Sequence, residues 1–180
     1  MSCEFNQDKH RLDIELDSPR GSLFSCPSFG KKGCNAYDSE RHTWRHLNFF
    51  QHEAYLTAPV PLVNCGDCGV KTIEVSWVRS RSGFTLLFEA LIMMLAKGMP
   101  VQSIANLVKE YDTRLWRVLD HYAHESRDRS EFSAVTAVGV DETSSKRGHN
   151  YVSVFVDMKL SQILLPTEGK DASTLDRKLT

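Results

Sequence analysis

The sequence predicts a mixed α+β chain in several domains, and three observations predict it. Apolar and polar residues alternate over residues 11–17 and again over 72–78, the period of half-buried strands. Between residues 84 and 124 the apolar positions recur at i, i+3, i+4 and i+7, the spacing of helices. From residue 134 the alternation returns. The changes of period set the boundaries: a cysteine-bearing β module at 1–83, a helical unit at 84–130 and a second β segment at 131–180.

Composition narrows the function classes. The 180 residues suit one large domain or two to three small ones. The chain has 22 Lys plus Arg against 23 Asp plus Glu, a net charge of -1, which excludes a wholly basic nucleic-acid binder and leaves a local basic surface open. The longest apolar run, residues 86–96, is interrupted by Glu89 and falls short of the ~20 residues a membrane span needs. Met1-Ser2-Cys3-Glu4-Phe5 is not the basic start of a secretory signal, so a cytoplasmic location is the default expectation, with no membrane partner.

Taken in order, residues 11–17 read as a strand, Ser18-Pro19-Arg20-Gly21 as a turn and residues 22–25 as a returning hairpin strand. Strand-like pieces follow at 52–56, 60–64 and 72–78. Residues 84–96 are apolar nearly all round, as in a buried helix; Gly98 ends it and Pro100 opens the next. Val101, Ile104, Ala105 and Val108 line one face of that second helix. Asp112 is a good N-cap for a third, because its carboxylate can accept free amide protons of the first turn, and Leu115, Val118, Leu119 and Tyr122 form its apolar face. Residues 127–133 read as a polar linker. Residues 134–142, 150–157 and 162–165 read as strands, the last two joined by the turn at 158–161, and a further helix begins at Asp171.

Three patterns carry chemistry. Cys65-Gly66-Asp67-Cys68-Gly69 can turn two thiolates toward one ion, with the glycines supplying the tight backbone. Cys26 and Cys34 are the matching upstream pair, although seven residues separate them and Phe29 stands where the closer cysteine is expected. Close cysteine pairs in a reducing compartment more often bind metal than form disulfides. Cys26, Cys34, Cys65 and Cys68 are therefore the candidate ligands of one structural zinc; His42, His46 and His52 are possible substitutes, and buried free thiols are the plain alternative.

The second pattern is a helix, a very short turn and a helix, the proportions of a DNA-reading pair. Thr113, Arg114, Trp116, Arg117, Asp120 and His121 lie opposite the apolar face of the third helix, where a major groove would be. An ordinary three-helix bundle with a solvated polar face is the alternative. The third pattern is Val138-Gly139-Val140-Asp141-Glu142, which places a carboxylate late in an apolar strand. Burying such a group is costly unless it meets a cation or hydrogen-bond donors, so Asp141 is a candidate metal ligand or base, with a strand-end turn as the alternative. The basic turn Lys146-Arg147-Gly148-His149 reads as solvent-exposed.

Together these stretches resemble the insertion-sequence transposases of the ISL-three family. The resemblance is carried by Cys26-Pro27, Arg41-His42-Thr43-Trp44-Arg45-His46-Leu47, Gly83-Phe84-Thr85-Leu86-Leu87-Phe88-Glu89-Ala90-Leu91, Asp112-Thr113-Arg114-Leu115-Trp116-Arg117, residues 138–149 and Glu168-Gly169-Lys170-Asp171-Ala172. It implies a zinc-ribbon-like module, a helix-turn-helix three-helix unit and the first strands of a ribonuclease H-like nuclease fold starting near residue 131. It also implies that Asp141 is the first of three carboxylates that hold two magnesium ions in the full-length family, and that the partner is double-stranded DNA at terminal inverted repeats. Phe29 and Tyr37 replace a cysteine and a histidine usual in the family, and the second Asp and the Glu are expected beyond Thr180. The resulting expectation is a DNA-binding transposase segment of bacterial cytoplasm, inactive by itself as a nuclease. A stand-alone zinc and helix-turn-helix regulator is the alternative, and a metal-stabilised protein-interaction module is a third class. The sequence leaves self-association open.

Overall fold

A computed structural model describes residues 1–129, 132–144 and 151–168, which fall into an N-terminal unit, Met1–Ala123, and a C-terminal unit that begins at His124. The expected basic turn at 146–149, the helix expected from Asp171 and most of the stretch 168–172 lie outside the described residues.

The N-terminal unit is built on a six-stranded sheet. Strands β1 (Ser2–Asn6) and β2 (Arg11–Glu15) pair antiparallel, and β3 (Leu23–Phe24) is a short edge. The long strands β4 (Cys34–Phe49) and β5 (His52–Cys65) form a hairpin, closed at Phe49↔His52 by a turn in which Phe50 has φ 53°. Strand β6 (Gly69–Thr72) folds back on β5, and the sheet order is β1-β2-β5-β4-β3 with β6 also beside β5.

Several expectations change here. Residues 22–25 do not return along β2; Leu23 and Phe24 pair with Asn35 and Cys34 of β4, while β2 pairs parallel with β5. The two strand-like pieces at 52–56 and 60–64 are one strand, because Ala54, Ala58, Val60 and Val63 are buried along its whole length. The alternation at 72–78 yields no strand beyond Thr72: Ile73, Val75 and Val78 instead pack under Trp44, Ala58 and Val60 as irregular chain.

The three helices are α1 (Leu86–Ala96), α2 (Val101–Val108) and α3 (Asp112–Asp128). Thr85 caps α1, its hydroxyl accepting from the Phe88 amide, and Lys109 ends α2 in the left-handed conformation. The third helix extends two residues into the expected polar linker, ending at Asp128. Phe84, Phe88, Ile92, Ile104, Ala105, Val108, Leu115 and Val118 form one core among the three helices.

The helices are joined to the sheet by backbone bonds. The Arg45 amide donates to Gly83 O (2.9 Å), Thr85 N to Arg45 O (3.0 Å), and Leu86 N to Trp77 O (2.9 Å). Glu89, on α1, is 0% exposed; it accepts from Arg79 (3.2 and 3.0 Å), Ser82 Oγ (2.5 Å) and Tyr122 Oη (2.8 Å). That carboxylate therefore joins α1, α3 and the segment leading into α1. His46 Nδ1 lies 2.9 Å from Thr85 Oγ1, and burial, helped by the Arg45 charge, holds the His46 pKa below its ordinary value.

The C-terminal unit contains β7 (Val138–Ser144), β8 (Tyr151–Asp157) and β9 (Gln162–Glu168), an antiparallel meander in the order β7-β8-β9. Ser153, Phe155 and Asp157 fill the buried face of β8, and the Asp157 carboxylate accepts from the amides of Lys159 (2.8 Å) and Leu160 (3.2 Å) in the turn.

Two stability measurements follow. Glu89→Ala strands Arg79 and Tyr122, and urea denaturation is expected to show a loss of about 3 kcal/mol, the scale for removing one partner of a buried pair. His46 binds its proton less readily folded than unfolded, so its contribution is present above the unfolded value, about 6.5, and is lost as pH falls below it. His46→Gln is expected to flatten that part of the acid-side stability curve.

Candidate nucleic-acid interface and cysteine centre

The turn between α2 and α3 is short because Lys109 takes the left-handed conformation (φ 56°) that reverses the chain. Leu115 and Val118 fix one face of α3 in the core. The opposite face carries the expected DNA-contacting residues, and they do not all share one environment. Thr113 and Arg117 are exposed, and Trp116 is 57% exposed, a large aromatic presented to solvent rather than packed on α1. His121 is half-buried, its ring set edge-on to Tyr122 at 5.1 Å.

Arg114 corrects the expectation of a free groove-reading arginine. Its Nη1 donates to Glu110 (2.6 Å), its Nη2 lies 3.5 Å from Gly83 O, and its guanidinium stacks over Phe84 at 4.3 Å. A Cβ at Gly83 would lie 2.6 Å from Arg114 Nη2, the far end of a flexible side chain, so a larger residue there would displace the guanidinium from this position. Helical spacing placed Arg114 away from Leu115 and Val118, but a partner brought from a distant segment is not visible in spacing.

Glu110 is itself almost buried and also faces Arg45, whose Nε lies 4.0 Å from Glu110 and 4.0 Å from Glu53. Arg45 is 1% exposed. Its Nη1 donates to the carbonyls of His46 (2.9 Å) and Ala54 (3.2 Å) and its Nη2 to Asn48 Oδ1 (2.6 Å), while Nε has no hydrogen-bond partner. Burial lowers the Arg45 pKa, opposed by Glu53, Tyr55 and Glu110. Arg45 entered the sequence reading only as part of a motif; nothing in its neighbours marks it as buried.

The cysteine centre forms where the loop after β3 meets the β5–β6 turn. The sulfurs of Cys26, Cys65 and Cys68 lie within 4.8 Å of one another, and Cys26 and Cys68 are 3.3 Å apart. Two thiolates on one tetrahedral ion at about 2.3 Å would be ~3.8 Å apart, so the three sulfurs are arranged as a metal could use them. The amides of Phe29 and then Ser28, with the thiols of Cys68 and Cys65, overcome burial and draw the Cys26 pKa down to about 7. Cys68, set against Cys26 and partly desolvated, is pushed up to about 11. Cys34 does not join the group: its sulfur faces the Lys31 carbonyl at 3.6 Å. The seven-residue gap explains this, because Cys34 is held on β4 by its pairing with Phe24. His42, His46 and His52 are likewise outside the group.

Asp141 lies on β7, opposite Val154, and is exposed; its Oδ1 accepts from the Glu142 amide (2.9 Å). Among the described residues β7 is the edge of its sheet, antiparallel to β8, and no group of three or more potential metal ligands includes Asp141.

With this geometry in place, the similarity to known proteins is specific. Residues 73–123 match the helix-turn-helix domain of transposase family ISL3, a span that includes all three helices up to the middle of α3. The transposase for insertion sequence element IS1557 of Mycobacterium tuberculosis (strain H37Rv) is 28% identical over 165 residues, 87% of this chain and 36% of the relative. Over most of its length, then, the chain is similar to insertion-sequence transposases, and residues 73–123 match the helix-turn-helix of family ISL3. A second relative, the transposase for insertion sequence element IS1001 of Bordetella parapertussis, is 24% identical over 174 residues, 95% of this chain and 42% of the relative. The chain thus spans well under half the length of these transposases. No solved structure matches it, and no helix among its described residues is long and apolar enough to cross a membrane.

Cobalt(II) titration of chelator-treated protein tests the thiol geometry through thiolate-to-metal absorption. The expected outcome is loss of binding in Cys26→Ser, Cys65→Ser and Cys68→Ser and a much smaller effect in Cys34→Ser. Because ligating thiols must lose their protons, affinity is expected to fall as pH is lowered through about 7.

Proposed function

We propose that this chain is the DNA-binding part of an ISL3-type transposase, binds double-stranded DNA through α3 and serves to recognise the terminal inverted repeats of an insertion sequence. The observation that carries the reading is the division of α3 into two faces. Leu115, Val118 and the Arg114–Glu110 pair lock one side, while Thr113, Trp116 and Arg117 stand in solvent on the other. A helix held this way can enter a major groove without reorganising. Arg117 then supplies a planar guanidinium for a guanine edge or a phosphate, and Trp116 an apolar surface for thymine methyls or sugar.

The cysteine centre supports that reading indirectly. Cys26, Cys65 and Cys68 would hold a structural zinc, which fixes the loop after β3 against the β5–β6 turn. Water would complete the ligand set, because Cys34 is held on β4 by its pairing with Phe24. Asp141 is proposed as the first carboxylate of a ribonuclease H-like site. Divalent metal in such sites activates an attacking oxygen and stabilises the leaving one. Asp141 contributes one ligand, and a lone carboxylate binds magnesium weakly because that ion dehydrates reluctantly.

Fluorescence anisotropy with an inverted-repeat duplex tests the assignment. Arg117→Ala is expected to weaken binding by about 1–3 kcal/mol while the circular dichroism and the thermal transition stay unchanged. Arg114→Ala is expected to act differently, lowering stability along with binding, because it leaves Glu110 nearly buried beside Arg45. Unaltered affinity in Arg117→Ala at moderate salt contradicts the groove assignment. With magnesium or manganese the duplex is expected to remain intact; nicking that disappears in Asp141→Ala overturns the account of Asp141 as an insufficient site.

A further inference from the structure

Three cations near the start of α3 are already paired. Arg45, Arg79 and Arg114 are committed to carboxylates: Arg45 to Glu53 and Glu110, Arg79 to Glu89, Arg114 to Glu110. Arg81 and Lys109 are exposed, and neither side chain has a hydrogen-bond or ion-pair partner among the described residues. Both are nonetheless placed beside the same hub. Arg81 is two residues from Gly83, whose backbone meets Arg114, and Lys109 precedes Glu110, whose carboxylate holds Arg114.

The segments that carry them are fixed. Ser82 N donates to Arg79 O (3.0 Å), closing a four-residue turn with Arg81 inside it, and Arg79 and Ser82 are both bonded to Glu89. Lys109 is the cap of α2, its amide bonded to Ala105 O. Each of the two residues has a positive φ, 62° at Arg81 and 56° at Lys109, where glycine would be least strained. Two long basic side chains are thus carried on fixed backbone, exposed and without a partner among the described residues.

We propose that Arg81 and Lys109 are phosphate-contacting residues that extend the α3 surface onto the DNA backbone on either side of the Arg114 hub. This rests on the DNA-binding reading above. Their contribution is electrostatic: each neutralises a phosphate and releases condensed counterions, so it adds to affinity without reading sequence. Arg117 and Trp116 discriminate between sequences, and Arg81 and Lys109 hold the helix in register.

Glycine substitution separates this role from a structural one, because it removes the charge and relieves the backbone at once. The test uses the whole chain and a fluorescein-labelled duplex of mixed sequence, titrated at several salt concentrations, with the thermal transition recorded in parallel. For Arg81→Gly and Lys109→Gly, the slope of log affinity against log salt is expected to become shallower by about 1 each. The melting temperature is expected not to fall. Arg81→Lys is expected to retain the wild-type slope. An unchanged slope in the glycine variants, with Arg117→Ala still weakening binding, overturns this proposal and leaves the α3 reading standing. A shallower slope accompanied by a lowered melting temperature also overturns it, since binding is then lost through the fold. Absence of any salt-dependent binding by the wild-type chain overturns both.

Discussion

Arg45 is held almost wholly out of solvent at the seam between sheet and helices, and much of the N-terminal unit is arranged around keeping its charge satisfied. Three hydrogen bonds, two carboxylates at 4.0 Å and the rings of Tyr55 and Phe88 surround it. A buried guanidinium cannot shed its proton, so the partners must come to it. Its backbone bonds to Gly83 and Thr85 place the start of α1, and its approach to Glu110 places the turn before α3. Glu110 in turn takes Arg114, and Arg114 covers Phe84. One buried cation thereby links β4, the turn after α2 and the first turn of α3.

That linkage fixes which side chains of α3 remain exposed. Arg79 and Arg114 are held by Glu89 and Glu110, while Trp116 and Arg117 stand in solvent. The cysteine centre works at the other end of the β4–β5 hairpin in the same sense, tying Cys26 to the β5–β6 turn across a long stretch of chain. Both devices fix geometry in a unit whose hydrophobic clusters are modest. The IS1557 and IS1001 relatives are more than twice as long as the region matched, and the present unit corresponds to a minor part of each.

The parts of the fold legible in the sequence were those governed by local periodicity. Residues 86–96 and 101–108 and the start of α3 at Asp112 follow directly from apolar spacing and capping. Strand β4 was not legible, because Ser39, Glu40, Arg41 and His42 are polar on both faces and its identity comes from pairing with β5. The parallel pairing of β2 with β5 is likewise a long-range choice, as is the docking of 73–78 beneath Trp44. At the site, Cys65 and Cys68 are marked by their spacing, and Cys26 by proximity that only folding produces. Cys34 was assigned by the same count and is held apart by β3. Arg114 and Arg117 look equivalent on a helical wheel; Glu110 and Gly83 make them different.

The central claim is that the solvent face of α3 is the surface that meets DNA. Amide chemical-shift mapping of the isotope-labelled 180-residue chain against an inverted-repeat duplex tests it most directly, since it reports on every strand and helix at once. The expected result is a contiguous set of perturbed amides from Lys109 to His121, together with Ser80–Gly83, and little change along β1 and β2. Perturbations concentrated on the sheet, with α3 silent, would contradict the account.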